Sequence, residues 1–211
     1  MTIRVLVADD HEVVRRGLKQ ILDEAPDIVV AGEASTGQET LKAVREGDFD
    51  VLVLDIAMPE LSGMDVLKQL GSLKPGLRIL MLSMYPEEQY AVRSLKGGAD
   101  GYITKNNVAD ELVAAIRKVA QGGKYITLTL AEKLAATLGS EYIAEPHEML
   151  SDREYQVMRK FAAGKSVKEI AAELSLSVKT ISTYRTRILE KLDLRSTAEI
   201  IRYALERNLS E

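Results

Sequence analysis

Two aspartates, Asp9 and Asp10, directly follow a short apolar run, and a third, Asp55, follows another. Ser83 and Lys105 stand in the same relation to two later runs. If those runs are parallel strands of an open α/β sheet, ligands gather beyond their carboxyl ends, where the strand order switches. With the first and third strands as neighbours, three carboxylates converge there. Like charges at close range repel unless a cation joins them, and an all-oxygen set suits a hard divalent ion, usually Mg2+. A hydroxyl and an ammonium on the rim of such a pocket suit a phosphoryl group. Taken singly, each residue has a plainer role. An Asp after a strand caps the next helix, Ser83 caps a turn, and Lys105 is a solvated surface charge. Carboxylates at strands one and three, a hydroxyl at four and a lysine at five are a poor coincidence.

The elements that must position these groups show in the hydrophobic pattern. Runs at 3–8, 28–31, 51–54, 79–82 and 101–103 are apolar on consecutive positions, as strands buried on both faces are. Between them lie helical periods. Val14, Leu18, Ile21 and Leu22 share a face, as do Leu112, Ile116 and Val119, and 63–70 and 87–95 supply two more helices. The expected fold over 1–121 is α/β: a flavodoxin-like, doubly wound, five-stranded parallel sheet of order 2-1-3-4-5. Gly122-Gly123 ends its last helix, 129–138 reads as a short helix, and 139–147, with Pro146, as a polar connector. Residues 122–147 are therefore expected to be a linker.

The remainder, 148–211, is expected to be an all-α four-helix domain. Three capping-box patterns start at Ser151, Ser166 and Ser196, and Ser177 can cap a fourth helix. Gly164 suits a left-handed helix stop. Helices are predicted over 152–163, 167–174, 178–192 and 197–207. The middle pair, with a tight turn at 174–177, has the form helix, turn, helix. Ile181, Tyr184, Ile188 and Leu192 should face the core. The opposite face carries Lys179, Ser182, Thr183, Thr186 and Glu190, with Arg187 on its flank and Arg185 nearer the core rim. Such a face suits the major groove of DNA, and equally a solvated surface.

Composition removes other classes of chemistry. There is no cysteine, which excludes a thiolate nucleophile, a thiolate metal site and a disulfide framework. His11 and His147 are the only histidines, too few for a His-rich zinc site. The apolar start is too short for a signal segment and no run reaches membrane-spanning length, so a soluble cytoplasmic protein is expected, with no membrane partner. The net charge is −4, but it is unevenly spread. Residues 1–147 hold 16 basic against 22 acidic groups, and 148–211 hold 12 against 10. Only the C-terminal part could meet a polyanion.

Residues 1–121 resemble a response-regulator receiver domain. The carriers are Val7-Ala8-Asp9-Asp10-His11, Val53-Leu54-Asp55-Ile56-Ala57-Met58-Pro59, Gly63-Met64, Ser83, and Gly98-Ala99-Asp100-Gly101-Tyr102-Ile103-Thr104-Lys105. The resemblance implies that Asp55 accepts a phosphoryl group from a sensor histidine kinase. Asp10, Asp55 and the backbone carbonyl of Ala57 would hold Mg2+, with Asp9 assisting. Ser83 and Lys105 would hold the phosphoryl oxygens, and Tyr102 would be the switch residue. A carboxylate is a competent nucleophile for that transfer.

Residues 150–207 resemble the LuxR-type helix-turn-helix of NarL/FixJ response regulators. The carriers are Leu150-Ser151-Asp152-Arg153-Glu154, the stretch from Ala163 to Ala171, Leu176-Ser177-Val178-Lys179-Thr180-Ile181, and Lys191-Leu192. The match implies that Lys179, Ser182, Thr183 and Thr186 face DNA. Ser182 stands where Lys is usual and Tyr184 where His is usual, so the target sequence does not carry over. Arg185 and Arg187 are expected to compensate on the DNA backbone. The whole chain then reads as a phosphorylation-dependent transcriptional regulator, not an enzyme, that binds double-stranded DNA as a homodimer when active. One alternative is a phosphorylation-independent interaction module. The other, an aspartate-nucleophile phosphatase, wants a second acid two residues after Asp55, where Ala57 stands.

Overall fold

Val, Ile and Leu on consecutive positions build five parallel strands: β1 (Ile3–Ala8), β2 (Ile28–Ala34), β3 (Val51–Asp55), β4 (Arg78–Ser83) and β5 (Gly101–Thr104). The computed structural model describes residues 2–71, 74, 76–84, 87–127, 130–132, 146–207 and 209. The chain divides into two compact units, Met1–Leu138 and Gly139–Glu211.

In the first unit the strand order is β2-β1-β3-β4-β5, as predicted. The connecting helices are α1 (Glu12–Asp23), α2 (Gly37–Glu46), α3 (Gly63–Leu70), α4 (Glu87–Lys96) and α5 (Val108–Ala120). Alternate strand residues point to opposite faces. Val5, Val7, Val51, Val53, Leu80, Leu82 and Ile103 join Leu18, Leu22, Leu112 and Ile116 of α1 and α5 in one core. Their neighbours Leu6, Leu52, Leu54 and Met81 are just as buried. Both faces are covered, which explains the unbroken apolar runs.

β2 departs from that expectation. It runs three residues beyond the predicted 28–31, and its middle is half-exposed, because it is an edge strand. At the other edge the chain continues past α5. Gly122 adopts a left-handed φ of 84°, and Tyr125 then bridges in parallel to Gly101. The Tyr125 N–H donates to the Asp100 carbonyl (2.9 Å), and the Tyr102 N–H to the Tyr125 carbonyl (3.3 Å). A Cβ on Gly101 would lie 2.8 Å from that Tyr125 oxygen, so glycine is what allows the approach. Of the expected helix at 129–138, residues 130–132 are helical and the rest lies outside the described residues.

The second unit contains a 3-10 turn (Pro146–Met149) and helices α6 (Asp152–Ala162), α7 (Val167–Glu173), α8 (Val178–Leu192) and α9 (Thr197–Glu206). Tyr155, Met158, Ile170, Ile181, Ile188 and Ile200 form its core. The capping boxes of Ser151 with Glu154 and Ser166 with Glu169 both close. The third closes only halfway. Ser196 accepts from the Glu199 N–H, but the Glu199 carboxylate reaches past it to the Arg195 N–H at 2.7 Å. Gly164 takes the expected left-handed φ, 79°. Among the described residues no helix is long and apolar enough to cross a membrane.

Candidate functional site

Asp9 and Asp10 follow β1 and Asp55 ends β3. Because those strands are neighbours, the three carboxylates meet as the spacing required. One oxygen from each, together with a ring nitrogen of His11, lies within 4.8 Å of the others. Asp9 and Asp55 are buried and Asp10 is partly so. Lys105, just past β5, reaches back into the cluster. Its ammonium is 2.6 Å from Asp9 Oδ2 and 3.2 Å from Asp55 Oδ2. Neither Asp55 oxygen is in a hydrogen bond of ordinary geometry among the described residues.

That arrangement leaves Asp55 electrostatically unsatisfied. Burial pushes its pKa up to about 6; Lys105 pulls against that and the Asp9 charge adds to it. Lys105 is held above its usual value. Burial works against its charge, but Asp55 and Asp9 outweigh it. One ammonium among three carboxylates leaves a negative pocket, and negative charge concentrated at strand ends is what a divalent cation neutralises.

The remaining predicted residues take these places. Ser83 is buried at the end of β4, and its carbonyl accepts the Lys105 N–H at 2.7 Å, so hydroxyl and lysine are tied through the backbone. Ala57 is half-buried in the loop after β3, which is anchored by the Ile56 N–H on the Leu82 carbonyl (3.1 Å). Tyr102 is a β5 residue only 2 % exposed, turned inward rather than to solvent.

Three neighbours carried no role in the sequence. A Cβ on Gly63 would sit 2.0 Å from the Asp55 carbonyl oxygen, so α3 can start there only with glycine. Arg15, one helical turn into α1, donates to the Asp9 carbonyl at 2.8 Å and lies 3.5 Å from Glu33 on β2. His11 sets its ring against Asp10, Nδ1 to Oδ1 2.7 Å. The run Asp9-Asp10-His11 was the available signal for His11. Gly63 and Arg15 depend on contacts across the fold.

In the helical unit, α8 starts at Ser177, whose Oγ accepts the Thr180 N–H at 3.0 Å, and ends at Asp193 in a left-handed conformation. Lys179, Ser182, Thr183, Thr186 and Arg187 are exposed, and Arg185 is half-buried at the rim. Ser182, Thr183 and Thr186 donate their hydroxyl hydrogens to the carbonyls of Val178, Lys179 and Ser182. Their oxygen lone pairs are left to accept from outside. Ile181, Ile188 and Leu192 are buried, but Tyr184, expected in the core, is only half-buried. At roughly 100° per residue it lies about 60° from Ile181, at the margin of the stripe. With Lys179, Thr180, Thr183 and Arg187 it lines a shallow hollow of about 300 Å³.

Comparison with known proteins matches residues 5–117 to the response regulator receiver domain and residues 148–204 to the luxR family of bacterial regulatory proteins. The chain is 35 % identical to the response regulator UvrY of Escherichia coli K12, over 98 % of this chain and 95 % of that protein. It is 36 % identical to the response regulator GacA of Pseudomonas viridiflava, over 98 % and 97 %. Among solved structures it resembles RcsB from Salmonella enterica serovar Typhimurium, bound to promoter rprA in the presence of phosphomimetic BeF3-. That match has a TM-score of 0.65 and 25 % identity, over 96 % of this chain and 98 % of that one.

Proposed function

The chain belongs to the response-regulator family, with a receiver joined to a LuxR-type DNA-binding domain, and from that premise we propose that Asp55 takes up a phosphoryl group from a sensor histidine kinase and that this uptake controls DNA binding by α8. Asp55 itself carries the proposal: a buried carboxylate, neither oxygen in a hydrogen bond of ordinary geometry, with an ammonium 3.2 Å away. We place the receiver at 1–121, the linker at 122–147 and the DNA-binding domain at 148–211.

The acidic pocket fits Mg2+: its donors are carboxylate oxygens, close together and short of hydrogen bonds. Asp10, Asp55 and the Ala57 backbone carbonyl are the ligands we assign, with Asp9 beside them. Bound there, the ion would offset the clustered negative charge and the charge that develops in transfer. An Asp55 oxygen attacks phosphorus, the bond from phosphorus to the kinase imidazole breaks, and an aspartyl-phosphate forms. Lys105 and the Ser83 hydroxyl then hold the new phosphoryl oxygens, and Tyr102 follows Ser83. The charge gained biases a pre-existing equilibrium toward the DNA-binding form, a coupling of about 1–3 kcal/mol.

In that form, Lys179, Ser182, Thr183 and Thr186 meet the major groove, and Arg185 and Arg187 the phosphates. Two copies read a pseudo-palindrome with half-sites about one helical turn apart. The protein acts in the cytoplasm, needs no membrane, and turns over no substrate of its own, since Ala57 stands where a phosphatase wants its second acid.

Incubation with acetyl phosphate and Mg2+ should give a hydroxylamine-labile phosphoryl adduct, seen by mass, that Asp55→Asn abolishes. Promoter DNA should bind more tightly after phosphorylation and not in that variant. Equal binding in all three states overturns phosphorylation control, and sustained hydrolysis of phosphoesters points to the phosphatase. Lys179→Ala or Arg187→Ala should lower the slope of log affinity against log salt by about one.

A further inference from the structure

His11 is not accounted for by the phosphoryl chemistry. It occupies the N-cap of α1, yet its side chain makes no capping hydrogen bond. Its side chain is 65 % exposed, so core packing does not hold it either. The ring nevertheless faces the acids, with Nδ1 2.7 Å from Asp10 Oδ1 and 3.4 Å from Asp9 Oδ1. Asp10 Oδ1 is itself buried without a hydrogen bond of ordinary geometry, as are both Asp55 oxygens, which are nearly inaccessible to solvent. The cluster is therefore three carboxylates and one imidazole, with one ligand atom of each within 4.8 Å of the others.

A nitrogen in that set changes which ion it suits. Mg2+ takes oxygen ligands and water and gains little from imidazole. Co2+, Ni2+, Cu2+ and Zn2+ accept imidazole readily, with affinity rising from cobalt through nickel to copper. An exposed ring on a helix cap can also swing aside, leaving an all-oxygen site for the harder ion. We propose that His11 Nδ1 is a fourth ligand of the acidic pocket, recruited by borderline divalent ions such as Ni2+ and Cu2+ and left out by Mg2+. This rests on the pocket being the cation site argued above, and it adds a basis for discrimination among ions at that site.

The test uses the full chain and titrates MgCl2 and NiCl2 separately by calorimetry. His11→Gln should weaken Ni2+ binding about tenfold or more and leave Mg2+ binding within about threefold. With Cu2+ bound, pulsed electron paramagnetic resonance should show nitrogen-14 modulation from one imidazole. It should disappear in His11→Gln and persist in His147→Gln, the other histidine. Unchanged Ni2+ affinity, equal losses for both ions, or wild-type Cu2+ without nitrogen modulation each overturn the proposal. The wild-type spectrum decides even if His11→Gln folds poorly. Mg2+ binding that Asp55→Asn weakens, without nitrogen modulation, would sink only the His11 ligand; a wild type that binds neither ion would sink the cation site as well.

Discussion

Asp55 in the sheet unit and Glu154 in the helical unit are nearly equally hidden from solvent, 1 % and 2 % exposed. Burial works to raise the pKa of both. For Asp55 burial prevails, and the value rises to about 6. For Glu154 it does not. The Lys191 ammonium at 2.6 Å and the Ser151 N–H at 2.7 Å hold the carboxylate below its ordinary value. Glu154 closes a capping box, so its charge is used up within the fold. Asp55 has one shared ammonium, a like charge beside it and no hydrogen bond of ordinary geometry on either oxygen. Buried charge that is only partly compensated costs folding energy, and groups held in that state cluster at functional sites.

The largest expected effect perturbs the setting of Asp55 without touching its carboxylate. Gly63→Ala would drive a methyl group into the Asp55 carbonyl, and urea unfolding should show a loss of about 3 kcal/mol with loss of phosphoryl uptake. Next is Asp55→Asn, with the opposite sign. A folded pKa raised above the unfolded one means that metal-free protein loses stability as pH climbs from about 4 to 6. Above that window the variant should be more stable than wild type by about 2–3 kcal/mol, and below pH 4 the difference should vanish.

Glu154→Ala should instead destabilise, by about 1–2 kcal/mol at pH 7. Its depressed pKa supplies stability above the unfolded value that is lost as pH falls, so the difference should shrink toward pH 3. A matched result for the two carboxylates across these pH series would end the contrast between them. The smallest effect is at the surface. Arg117 grips Asp27 with two hydrogen bonds of 2.9 and 2.6 Å, but both residues lie in high dielectric. Arg117→Ala should leave the thermal midpoint unchanged.

Much of this was readable in advance where the cause is local. Consecutive Val, Ile and Leu marked the buried strands, and serines three residues ahead of Glu marked helix starts to within a residue. Reading failed where a neighbour decides. β2 looked fully buried because its composition matches the central strands, and only its edge position exposes it. Glu199 matched the capping-box pattern but is drawn to the Arg195 N–H instead. Tyr184 fitted the apolar period but lies at the margin of the stripe. The capping box of Ser62 and Asp65 on α3 went unmarked because Asp stands where the pattern expects Glu or Gln.

By itself the sequence determined the type of the elements and their order along the chain, and hence that Asp9, Asp10 and Asp55 stand at the carboxyl ends of strands, since hydrophobic periodicity is a property of the chain. Only the tertiary structure decided which charges compensate which. Lys105 bridging Asp9 and Asp55, Arg15 on the Asp9 carbonyl and His11 against Asp10 all depend on side chains brought within a few ångströms by packing. Electrostatic energy in a low dielectric varies steeply over those distances.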